Sequence, residues 1–340
     1  MRRRTLLGST AAAGVVAATG GTVAGALVAA EPAAAAEYLV ATTEQKTNDV
    51  LVFSHSNTSW SDANVRWRWS APTGSTWTNL SDVKRRPTAN WGDVVLVTAS
   101  GTASAGGKAA MIDQSSKSVV WSATVPGNPH AVERIKNYGA IVVASSRARQ
   151  YSSSFADGGG LSLFIPSSNG GKPGTSYSGS VKYGFEGAHG VLYDTSSGLL
   201  LAVGKGELRA YHLVVNSSGH LTGLKLACKT TFSGTGHDLQ PDYASGKFFY
   251  TVGGTGTNHG VWEVSLLYAG SSWVFSGKKR ISTATYVKAY GSLPNGVRFY
   301  VDAPSESQYW TTSVGFSSGG SGSRSGAKFY KARYWTTAFV

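Results

Sequence analysis

Gly187-Ala188-His189-Gly190-Val191 is the stretch from which the rest of the chain is best read. Working outward from His189, four other polar side chains return on a similar beat: Lys84, His130, His237 and Lys288, with spacings of 46, 59, 48 and 51 residues. Eight or nine positions after each stands a glycine: Gly92, Gly139, Gly198, Gly246 and Gly296. An apolar run follows each glycine, such as Val94-Val95-Leu96-Val97, Ile141-Val142-Val143 and Leu199-Leu200-Leu201. Marker, turn and strand repeat together, which is the signature of a repeat architecture.

A period near 50 built from short strands fits the blades of a β-propeller. No long segment shows helical periodicity, and the 43 glycines and 38 aromatic residues suit an all-β chain. The expectation is a six-bladed β-propeller of four-stranded antiparallel blades occupying residues 37–340 as one domain. Tyr38-Leu39-Val40-Ala41-Thr42 reads as a second strand with no first strand before it. Because open sheet edges are a liability, the C-terminal end around Thr336 to Val340 is expected to return and close that blade.

Residues 1–36 read as an address. Arg3-Arg4-Thr5-Leu6-Leu7 is a twin-arginine pair before apolar positions, and Ala34-Ala35-Ala36 suits a cleavage site, so a secreted, extracellular protein is expected. A membrane anchor is the weaker reading of that glycine-broken stretch. Cys228 is the single cysteine, so stability must come from the core and not from an internal disulfide. The whole chain carries +13; the leader holds Arg2, Arg3, Arg4 and Glu31, which leaves +11 on residues 37–340. An exported protein this basic favours acidic partners. With no long Lys/Arg run, acidic glycans rank above nucleic acid, and a monomer with no membrane contact after leader removal is expected.

Asp82-Val83-Lys84, Gly127-Asn128-Pro129-His130-Ala131-Val132-Glu133, Gly187-Ala188-His189-Gly190-Val191, Gly236-His237-Asp238-Leu239 and Val287-Lys288-Ala289 together resemble a family of secreted bacterial six-bladed β-propellers. The resemblance runs through nearly all of residues 37–340 and implies a fold, not a reaction. In architecture and site chemistry alone, a histidine-bearing propeller also resembles β-propeller polysaccharide lyases, whose blades usually number seven.

In a propeller the innermost strands line a central channel, so the five markers are expected to ring one axis. A uronate lyase needs a base for the proton beside the sugar carboxylate, a cation for that carboxylate, and an acid for the leaving oxygen. His130, His189 and His237 have the pKa for acid or base work, with Tyr290 as a second acid. Lys84, Arg85 and Lys288 would neutralise the carboxylate and stabilise the developing charge. The same three histidines, with Asp238 or Glu133 near, offer a divalent metal site as an alternative, although no close-spaced ligand motif is present. Histidines at blade entrances also serve as blade-locking hydrogen bonders, and a basic ring also serves a non-catalytic module that holds an anionic glycan or cell-wall polymer. Few acids fall at inner-strand positions and no Gly-x-Ser-x-Gly elbow exists, so paired-carboxylate and serine hydrolysis rank lower.

Overall fold

The computed structural model describes residues 37–102, 105–147, 159–254 and 258–339, and the residues from Glu37 onward form one compact unit. The leader expectation falls in residues 1–36, outside the described residues. The chain folds as successive antiparallel meanders. The first comprises β1 (Leu39–Glu44), β2 (Asp49–Ser54) and β3 (Trp67–Ser70). The second comprises β4 (Leu80–Pro87), β5 (Asp93–Thr102), β6 (Gly106–Asp113) and β7 (Val119–Val125). Then come β8 (Pro129–Arg134), β9 (Ile141–Ser145), β10 (Gly160–Phe164) and β11 (Val181–Gly184). They are followed by β12 (Gly190–Asp194), β13 (Leu199–Val203), β14 (Lys205–Val215), β15 (Leu221–Pro241), β16 (Phe248–Gly253), β17 (Gly260–Ala269) and β18 (Ser272–Ser282). The last are β19 (Val287–Ser292), β20 (Arg298–Asp302), β21 (Ser313–Phe316), β22 (Ser321–Ser323) and β23 (Phe329–Tyr334).

These strands make a β-propeller whose blades are four antiparallel strands. Two details differ from the sequence expectation. Only four blades stand as separate four-stranded sheets, because β12 to β18 form one continuous seven-stranded sheet. The cause is β15, which runs unbroken for 21 residues; its first part pairs with β14 and its last part with β16. The strand that joins β1 is also earlier than expected: β23, and not the segment around Thr336 to Val340, takes that edge.

The first strands of successive meanders lie side by side, with β23 against β4, β4 against β8, β8 against β12, β12 against β15, β15 against β19 and β19 against β23. The strands after the first four beat glycines are buried on both faces, which is why they read as unbroken apolar runs, whereas β20, after Gly296, alternates buried Phe299 and Val301 with half-buried Arg298 and Tyr300. Val94 to Val97, Ile141 to Val143 and Leu199 to Leu201 are all fully or almost fully enclosed. All five beat glycines adopt positive φ, between 59° and 85°. At Gly198 the reason is visible: its N–H donates to the Asp194 carbonyl at 2.9 Å while the Asp194 carboxylate accepts from Ser196 and Ser197, a tight turn that a Cβ would strain.

Candidate functional site

The side chains that face the mouth of the channel are placed there by one repeated irregularity. On β8, Pro129 pairs with Ser145 and Ala131 with Ala144, so His130 is an extra residue that opposes nothing. His237 is the extra residue between Gly236 and Asp238 on β15, and Lys288 the one between Val287 and Ala289 on β19. His189 stands in a similar relation: its N–H donates to the Val203 carbonyl, although Gly190 is the register partner of Val203. A β-bulge of this kind re-aims a side chain and is common beside functional sites. The bulges turn these four residues into an open cavity of about 630 Å³, whose wall also includes Tyr309 and Tyr330.

The same register explains which expected site residues are absent. On β4 the bulge residue is Ser81, so the counterpart of His130 is Ser81 and Lys84 lies three residues deeper. Lys84 is almost fully buried below the cavity. Its ammonium donates to the carbonyls of Val132 at 2.8 Å and Val191 at 2.5 Å and sits 3.4 Å from Glu133 and 3.6 Å from Asp82. Arg85 points the other way, pairing with Asp93 at 2.5 Å and lying over the Trp335 ring. Tyr290, two residues past the Lys288 bulge, faces the blade interior, edge-on to Phe249, and lines a separate cavity of about 310 Å³ with Arg298 and Tyr300. Lys84, Arg85 and Tyr290 are therefore not cavity groups. Of the expected site residues, His130, His189, His237 and Lys288 are brought together.

Beneath the cavity lies an ionic layer. Arg333 grips Asp238 with two bonds of 2.8 and 2.7 Å and reaches Asp82 at 2.7 Å, Lys331 sits 3.2 Å from Asp238, and Arg86 holds Glu133 with two bonds of 2.8 Å. Burial alone would raise the Asp238 carboxyl, but Arg333 and Lys331 hold it down at about 2. These charges satisfy one another and leave no unpaired cation for a ligand.

The cavity groups are different. His189 donates its Nδ1 proton to the Gly187 carbonyl at 2.6 Å, which leaves the Nε2 lone pair available. Burial, reinforced by Lys331 and Lys288 against that hydrogen bond, pushes its pKa down to about 3, so the ring is neutral at neutral pH. Burial and nearby positive charge push His130 and His237 well down too. His237 fits its pocket only because position 253 is glycine: a Cβ there would stand 2.4 Å from the imidazole Nε2. Its Nδ1 is enclosed with no hydrogen-bond partner among the described residues.

Asn128 fixes the tautomer of His130. Its amide Nδ2 donates to Ser146 Oγ at 3.1 Å and to His130 Nε2 at 3.0 Å, so Nδ1 carries the ring proton and donates to Tyr330 Oη at 3.2 Å. The hydroxyl proton of Tyr330 is then left for the cavity, and burial keeps that phenol protonated. Lys288 is only 4% exposed, yet it makes no hydrogen bond or ion pair among the described residues. Burial and the Lys331 charge, against the pull of Glu306, bring it down to about 8. Tyr330 was not legible as a site residue, because the strand that carries it was expected nearer the C-terminus.

The metal alternative fares worse than the acid–base one. His130 and His189 stack face to face, 4.2 Å apart and 14° from parallel, while His237 meets His189 edge-on at 5.1 Å. Stacked rings hold their lone pairs in parallel planes instead of aiming them at one point, and both nitrogens of His130 are already engaged. Among the described residues no three His, Cys, Asp or Glu side chains are grouped to hold an ion.

Fold and cavity together define a β-propeller with a mouth lined by neutral imidazoles and, among the described residues, one lysine without a hydrogen bond or ion pair. No protein-family model matches the sequence, and no curated protein does. Among solved structures, the β-propeller domain of Cps50 (Swd1) from Myceliophteria thermophila is similar at TM-score 0.48 and 11% identity, over 88% of this chain and 86% of that one. The periplasmic gluconolactonase PpgL of Pseudomonas aeruginosa gives TM-score 0.47 and 12% identity over 89% and 99%. Hydrazine synthase of Kuenenia stuttgartiensis gives 0.47 and 11% over 80% and 71%. Likenesses this remote decide nothing about chemistry. The resemblance to secreted bacterial propellers and to polysaccharide lyases has no counterpart among these comparisons.

Proposed function

We propose that this is an exported six-bladed propeller that cleaves a uronate-containing glycan by β-elimination in the cavity. The six-blade reading counts the seven-stranded sheet as two blades that share β15, and the cyclic order of the inner strands supports it. The observation that carries the chemistry is Lys288, a nearly buried cation in the same wall as His189, where neither the Lys288 ammonium nor the His189 Nε2 has a hydrogen-bond partner among the described residues. A buried charge without a partner is costly, and an incoming carboxylate would satisfy it.

In this reading the Lys288 ammonium meets the substrate carboxylate and so acidifies the adjacent C–H. The neutral His189 takes that proton through Nε2. The freed electron pair forms the carbon–carbon double bond as the glycosidic C–O bond breaks. The Tyr330 hydroxyl gives its proton to the departing oxygen, with the His130 Nδ1 proton hydrogen-bonded behind it. Tyr330 thereby takes the place that the sequence assigned to Tyr290.

The test is to incubate the protein with a panel of uronate polysaccharides and follow the ultraviolet absorbance of the unsaturated product. Activity that His189→Ala abolishes while substrate binding survives supports the reading. Binding without product on every polymer would replace it with a non-catalytic module for anionic glycans. No binding at all would remove the cavity as the functional site.

A further inference from the structure

Lys288 has a second chemistry beyond charge neutralisation. Its side chain is nearly buried, lines an open cavity and has no hydrogen bond or ion pair among the described residues. The paired lysines of the protein differ: Lys84 and Lys331 donate to backbone carbonyls and face carboxylates, and Lys205 holds Glu186. An ammonium tied by such bonds cannot become a nucleophile without breaking them, whereas Lys288 breaks no hydrogen bond or ion pair among the described residues by shedding its proton. Burial is what favours the neutral amine. Lys331 lies beneath it, His237 and His189 sense its charge, and Glu306 is the one acid that pulls the other way. The cavity wall also carries the exposed Arg147, whose guanidinium has no hydrogen bond or ion pair among the described residues.

We propose that Lys288 is a carbonyl-capturing amine, which forms an imine with small acids that carry both an aldehyde and a carboxylate. The amine nitrogen attacks the carbonyl carbon, and the carbonyl π pair moves to oxygen. A proton passes from nitrogen to that oxygen to give a carbinolamine, and loss of water leaves the C=N bond, with no oxidant or reductant consumed. The carboxylate of the same molecule meets Arg147. The open-chain reducing end of a uronate is one member of this class; the inference nevertheless stands apart from the elimination reading, since capture needs neither His189 as base nor Tyr330 as acid.

The probe is glyoxylate, with cyanoborohydride added to reduce the imine to a stable carboxymethyl amine, located by peptide mass mapping of the wild-type protein. At neutral pH Lys288 has on the order of a hundredfold more free amine than an exposed lysine, so it is labelled first and close to stoichiometrically. Its labelling rate rises with pH and levels off above about 8, and Lys288→Arg loses the adduct. An adduct spread evenly over exposed lysines such as Lys117 and Lys279, or none at Lys288, overturns the proposal. Mapping on the wild type makes the result independent of whether the variant folds. Polymer cleavage is read by a different signal, so failure of either inference is seen separately.

Discussion

Replacing Lys288 by methionine should stabilise the protein. Methionine keeps the length and flexibility of the lysine stem and removes only the charge. In the fold, burial brings this amine from an ordinary 10.5 to about 8. At about 1.4 kcal/mol per pH unit, that drop disfavours the charged form by on the order of 3 kcal/mol. The sign follows from proton binding. Between pH 8 and 10.5 the unfolded chain keeps a proton that the folded chain has lost, so parent stability rises with pH through that window. Below pH 8 both states hold the proton and the full penalty is present. Lys288→Met should therefore raise the unfolding free energy at pH 7 by up to about 3 kcal/mol, or roughly 5 °C in Tm for a domain of this size. The assay is urea unfolding of parent and variant at several pH values. Their difference should be constant from pH 6 to 8, shrink above 8 and vanish near 10.5. A variant less stable than its parent at pH 7, or a gap that ignores pH between 8 and 10.5, would refute the idea that this lysine sits unpaired. Loss of function in a stabilised variant would mark the position as kept for its ligand.

The ionic layer should behave in the opposite way. Arg333→Met strips Asp238 of a two-bond partner and Asp82 of its 2.7 Å contact, and should lower the urea-unfolding free energy by roughly 3–5 kcal/mol. A loss under 1 kcal/mol would show that Lys331 alone suffices. His189 predicts acid lability: its folded pKa near 3 lies below the ordinary 6.5, so the stability it contributes is complete above pH 6.5 and drains away as pH falls toward 3. His189→Gln should flatten the acid limb of the stability profile by several kcal/mol, measured as the urea midpoint between pH 6.5 and 4. An unchanged acid limb would mean that this ring is solvated.

The amino-acid order alone carries the strand class, the beat and the turns. A marker, a glycine and an apolar run recur because successive blades need the same tight turn into a strand that most of them cover on both faces. The positive φ at all five glycines is the physical trace of that requirement. It also determined that three imidazoles and Lys288 meet, since side chains at one position of a repeat unit converge on its axis. Which cations are free is settled only once the strands are in register. A strand alternates with period two, so a single inserted residue exchanges the faces that every later side chain presents. Spacing along the chain cannot show that insertion. Lys84, at 46 residues from His130, passed for the first marker, while the register partner is Ser81, at 49. The insertion on β19 sent Lys288 into the cavity and Tyr290 into the blade. Carboxylates distant in sequence then settled the remaining cations, because Asp82, Glu133 and Asp238 reach Lys84, Arg86, Lys331 and Arg333 only once the inner strands stand side by side.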